Sequence, residues 1–133
     1  MPSDHPPDPR DAPRQRLRAL DRALAETHKQ LIVSLRGDYE AAGGHVDGPL
    51  ALLQLVESDP AFAWIAPLTR LLLAVGDGDR APDARSVEAL LDDTDALFQS
   101  AAPDDFAARY TERLQRDFDL LSAHRDLRKV LAR

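Results

Sequence analysis

Leucine recurs at Leu17, Leu20, Leu24, Leu31 and Leu35, with spacings of three, four, seven and four residues, and Ala23, Ala25 and Thr27 lie between. This is the period of about 3.6 that sets one apolar stripe along an α-helix. A helix with one such face is not stable alone, so the rest of the chain must supply faces that cover it. The material for those faces is helical. Ala and Leu occur 21 times each in 133 residues, against 12 for Ile, Val and Thr together, which leaves little from which to build strands.

Proline and glycine divide the chain into segments. Residues 1–11 hold Pro2, Pro6, Pro7 and Pro9 among Asp4, His5 and Asp8, and read as a disordered Pro/Asp-rich tail ahead of a single helical-bundle domain over 12–133. Asp11 is a cap for the first helix and Pro13 is tolerated in its first turn. Tyr39, Ala41 and Ala42 keep the phase past Gly37, so this helix is expected to end at Gly43-Gly44. Pro49 opens a short helix through Leu50, Leu53 and Val56 that stops at Ser58 or Asp59, and Pro60 opens the next. From there to Val75, the residues Phe62, Trp64, Ile65, Leu68, Leu71, Leu72 and Leu73 cover nearly every face, which predicts a central helix surrounded by the others. Pro67 lacks an N–H and would clash with the carbonyl of Ala63, so a kink is expected there. After a loop over 76–82, Ser86 or Asp83 caps a helix with Val87, Leu90, Leu91, Leu97 and Phe98. Pro103 with Asp104 and Asp105 starts the last one, whose stripe is Phe106, Tyr110, Leu114, Phe118, Leu121 and then Leu127 or Leu131. The expected fold is all-α: a bundle of four long helices plus one short helix, with the central helix kinked at Pro67.

The run Leu52-Leu-Gln-Leu-Val-Glu-Ser-Asp-Pro-Ala-Phe-Ala-Trp-Ile-Ala-Pro-Leu68, preceded by Thr27-His-Lys-Gln-Leu-Ile32 and Asp38-Tyr-Glu40, resembles an uncharacterised family of small all-helical bacterial proteins. Ser-Asp-Pro-Ala-Phe-Ala-Trp is the specific part, and the likeness covers about the first two-thirds of the chain. It implies a helical bundle and a bacterial source, and no activity or functional residues. The sequence departs from the pattern at Gly37, where a better helix former is usual.

The residues that carry chemistry are scattered. Without cysteine there is no disulfide, thiolate metal site or thiol nucleophile. His28 and His124 have no Glu three residues before them, as a di-iron bundle requires, and His5 and His45 stand apart. Asp77, Asp79, Asp83 and Glu88 echo a calcium loop, but Ala81 and Pro82 occupy its fifth and sixth positions, where a ligand and a glycine are needed. Ser34, Ser58, Ser86, Ser100 and Ser122 lie in no nucleophile elbow, and Gly76-Asp-Gly78 lacks the Lys and Ser or Thr of a phosphate loop. No cofactor or metal is expected. No apolar run at the N-terminus resembles a signal peptide, and Ala61 to Val75 is too short to span a bilayer, so the expectation is a soluble, cytoplasmic protein.

Charge is the pattern that remains. Residues 37–105 carry 14 acidic against 3 basic groups, whereas both ends carry a basic excess within a net charge of −6. If the first and last helices lie side by side, Arg14, Arg18, Arg22, Arg125, Arg128 and Lys129 make one basic face opposite an acidic one. The net charge disfavours nucleic acid. The 15 Arg against 2 Lys, with no Asn, match the drift of a GC-rich genome, so arginine richness by itself is given no functional weight. The reading is a non-catalytic interaction module that meets a protein partner or a second copy through its acidic middle or its basic face. The alternatives are a small-ligand or enzymatic pocket beside Pro67, lined by Trp64, Tyr39 and Tyr110, with His28 or His124 as its polar group, and weak nucleic-acid binding through the basic face of the first and last helices.

Overall fold

The structure, a computed structural model, describes residues 11–78, 83–99 and 105–132. Residues 1–10 of the expected tail lie outside them, as do the loop at 79–82 and Pro103. The described residues are helical throughout apart from short connections: α1 (Asp11–Ala41), α2 (Pro49–Ser58), α3 (Pro60–Ala63), α4 (Ala66–Gly78), α5 (Ala84–Gln99), α6 (Asp105–Arg116) and α7 (Phe118–Leu131). At 31 residues, α1 runs for about 46 Å and passes unbroken through Gly37. Its leucine stripe is the axis of the core. Leu17, Leu20, Leu24, Leu31 and Leu35 are all buried, and α3, α4, α5 and α7 pack against them. Past Ala41 the chain turns on Gly43 at a φ of 98°, and the N–H of Gly44 caps the carbonyl of Tyr39 at 2.9 Å.

The central element differs from expectation. Instead of one helix bent at Pro67, the chain leaves helical geometry at Trp64-Ile65 and restarts at Ala66, so Pro67 stands in the first turn of α4. A first-turn residue has no intrahelical use for its N–H, and the break removes the clash with the Ala63 carbonyl. The backbone is spliced by the N–H of Ile65 on the Phe62 carbonyl at 3.1 Å and of Leu68 on the Ile65 carbonyl at 3.0 Å. Phe62, Ile65 and Leu68 thereby all point inward while Trp64 turns toward the edge of the core. Nor is this segment surrounded: in α4 only Leu68 and Val75 are buried, and Leu73 is 66% exposed.

A second break corrects the last stripe. Asp117 takes an extended conformation and its side chain accepts the N–H of Leu120 at 3.0 Å, which ends α6 and caps α7. The interruption shifts the helical phase. Phe106 and Tyr110 of α6 are buried as expected, but the buried face of α7 is Leu120, Ala123, Leu127 and Leu131, and Phe118 is left 75% exposed. The count of four long helices and one short one gives way to seven helical segments among the described residues. Arg113 of α6 pairs with Asp38 and donates to Ser34 near the end of α1, while Ala123 and Val130 of α7 lie beside Ala19 and Ala23 near its start. The α6–α7 arm therefore runs antiparallel to α1, and the first and last helices do lie side by side.

Two substitutions test this account. Asp117→Ala should lower the free energy of unfolding in urea by about 1 kcal/mol, since it removes the cap that holds the α6–α7 break. Gly37→Ala, at an exposed helical site with nothing near the added Cβ, should raise it by about 0.5–1 kcal/mol.

Candidate functional site

A cleft of about 320 Å³ opens where α6 crosses the α3–α4 break, and it is lined by Leu35, Trp64, Arg109, Glu112, Arg113 and Arg116. The break places Trp64 there. The three arginines stand at i, i+4 and i+7 and so share one face of α6. The Arg113 side chain is 18% exposed and is fixed from behind by Asp38 at 2.5 Å and Ser34 at 3.3 Å. Arg116, 63% exposed, pairs with Glu112 at 2.5 Å. On the lining itself three guanidinium groups face one carboxylate, with Leu35 and the half-buried indole as apolar walls.

Of the residues expected to form a pocket, Trp64 lines this cleft and the others are distributed around it. Trp64 packs on Phe106 with ring centroids 5.7 Å apart, Phe106 stacks on Tyr110 at 5.5 Å, and Tyr110 meets His124 at 5.4 Å. Phe98 closes the group at 4.8 Å from Tyr110. Trp64 is thus the outer end of an aromatic chain that runs into the core. Tyr110 lies one ring behind the cleft and is 1% exposed. Burial raises its pKa well above the phenol range, so it stays protonated and its O–H pairs with Nδ1 of His124 at 2.9 Å. His28 is elsewhere: its Nε2 sits 2.9 Å from the hydroxyl of Thr69, on the α1–α4 side. Tyr39 packs edge-on against Phe62 at 5.7 Å, and Pro67 is half-buried in the first turn of α4. No imidazole lines the cleft, and among the described residues no three of His, Asp and Glu gather as metal ligands.

The residues of the expected basic face stand among acidic ones. Arg22 shares the α1–α7 seam with Glu26 and Asp126, whereas Arg18 borders α4 beside Asp21. Arg128 pairs with Asp95 of α5 at 2.8 Å, and Lys129 lies 3.9 Å from Asp126. Acidic side chains interleave all along. A further row of arginines, in which Arg113 and Arg116 each have a carboxylate partner, lies on α6, among residues that the sequence reading does not single out. Their signal was available in the spacing of Arg109, Arg113 and Arg116, but nothing in the sequence brings Trp64 opposite them.

Both half-buried histidines resist protonation. Burial lowers the pKa of His28, and burial with the nearby Arg128 charge lowers that of His124. In the unfolded chain each takes up a proton near the ordinary value of about 6.5. The unfolded state therefore binds more protons below that pH, and the stability these sites contribute is complete above it and lost as the pH falls. The thermal midpoint should drop between about pH 7.5 and about pH 5.5, and the drop should shrink in His28→Gln and His124→Gln, measured by circular dichroism.

Among the described residues no helix is long and apolar enough to cross a membrane. No protein-family model, no curated protein and no solved structure matches this chain.

Proposed function

We propose that this chain is a non-catalytic interaction module whose Trp64 cleft receives a carboxylate-bearing segment of a protein partner. The observation that carries the reading is the set of three arginines on one face of α6 opposite the tryptophan. A guanidinium is planar and bidentate toward carboxylates, and it also stacks on aromatic faces, so indole and arginines together suit an acidic segment that brings an apolar or aromatic side chain with it. Glu112 already occupies Arg116, and an incoming carboxylate exchanges with it.

A partner segment is favoured over a small free ligand by the shape of the site. The rim residues Glu112 and Arg116 are 62% and 63% exposed in their side chains, which describes an open trough along α6, whereas small-ligand sites enclose most of the ligand. A catalytic reading finds no hydroxyl, amine or imidazole on the lining, and its one carboxylate, Glu112, is engaged by Arg116. A cytoplasmic setting belongs to the same proposal, as does the likeness of residues 52–68 to small all-helical bacterial proteins, which supplies an architecture and no activity.

The chain has one tryptophan, and it lines the cleft, so its fluorescence reports occupancy directly. Titration with a Glu-rich peptide containing one Phe should shift that emission saturably, and the shift should weaken as salt is raised. Arg109→Ala and Arg116→Ala should each weaken binding about tenfold, the loss expected for a hydrogen bond to a charged group. An emission unchanged at low salt removes the proposal. The same saturation with free glutarate would reassign the cleft to a small dicarboxylate.

A further inference from the structure

On either side of the α3–α4 break in sequence, α2 and α4 carry apolar side chains that no neighbouring helix covers. Six of the ten residues of α2 are Leu, Ala or Val, yet none is fully buried: Leu52, Leu55 and Val56 rest partly buried against the core. Leu50 and Leu53 are 69% and 54% exposed, and Leu73 of α4 is 66% exposed. Scattered exposed leucines need no explanation, but these stand on the two helices that bank one groove. Its lining is Val56 and Glu57 from α2, Ala63 from α3, and Ala66, Thr69 and Arg70 from α4, around a volume of about 220 Å³. Leu53 precedes Val56 and Glu57 by three and four residues, and Leu73 follows Ala66 and Arg70 by seven and three, so the leucines continue the two helical stripes that form the banks.

The charges on those banks identify what fits. Glu57 stands on one and Arg70 on the other, and neither has an ion-pair or hydrogen-bond partner in its side chain among the described residues. The groove has no net charge, on a chain whose net charge of −6 otherwise opposes self-association. A two-fold axis through the groove exchanges its banks. It sets Arg70 of each copy against Glu57 of the other, with Ala63 and Ala66 allowing close approach and the leucines supplying the apolar area. We infer that the α2–α4 groove is an isologous interface through which two copies of this chain form a homodimer. The inference is independent of the Trp64 cleft.

Sedimentation velocity on the full chain, from about ten micromolar to about one millimolar, tests it. The wild type should pass from monomer to dimer across that range. Leu53→Glu, which brings two carboxylates into the contact by symmetry, should leave only monomer with an unchanged helical spectrum. Arg70→Glu and Glu57→Arg should each weaken the dimer about tenfold, because two rim attractions become two repulsions. An equimolar mixture of these two variants should dimerise as tightly as the wild type, since every Glu then faces an Arg. That rescue is specific to self-pairing through this groove. A wild type that remains monomeric throughout, a dimer indifferent to Leu53→Glu and Arg70→Glu, or a mixture no tighter than its components would each overturn the inference.

Discussion

Burial of the α1 leucine stripe is the interaction on which the other elements depend. Helices α3, α4, α5 and α7 all contact α1, and each finds its place by covering part of Leu17, Leu20, Leu24, Leu31 and Leu35. Truncating one such leucine typically costs 2–5 kcal/mol, a large share of the stability of a small domain. By comparison the exposed ion pairs between helices, such as Arg16 with Glu88 at 2.6 Å, contribute little each. Their effect is on arrangement. The acidic excess of the middle of the chain meets the basic excess of its ends where α5 pairs with α1 and α7, through Arg16–Glu88 and Arg128–Asp95.

How much of this was legible depends on the range over which each signal acts. The leucine spacing is local, and it gave α1, its continuity past Gly37 and its buried face correctly. The all-helical class followed from composition with equal directness. The two breaks were harder, because periodicity tolerates them. A stripe through Phe106, Tyr110, Leu114 and Phe118 is as regular as the real one, and only the cap formed by Asp117 shows that the phase restarts. Pro67 was read as a kink because the apolar run around it looked continuous, yet a proline near a possible helix start costs least when the helix begins there.

The candidate site was legible in halves. Trp64 stood out as a lone large residue, but its half-buried position follows from the unwound step at Trp64-Ile65, which no pattern announces. The arginines of α6 were present at helical spacing and were discounted together with the rest of an arginine-rich composition. Their meeting with Trp64 is a tertiary fact. It arises because Phe106, one turn before Arg109, packs both on the indole and on Tyr110, so that the same helix inserts its aromatic face and lays its basic face along the opening.

Helix α2 enters and leaves on connections of its own: Gly48 precedes it at a φ of 110°, and the N–H of Asp59 closes it on the Leu55 carbonyl at 2.8 Å. With no fully buried side chain, it has less holding it down than any helix that covers the α1 stripe. Such a segment opens to solvent at a lower free energy than the global unfolding of the chain, and its amides exchange with deuterium through that local opening while those of α1 wait for the whole domain. The molecule thus behaves as a firm body carrying one loosely latched helix, whose exchange rate is a direct gauge of anything that comes to rest upon it.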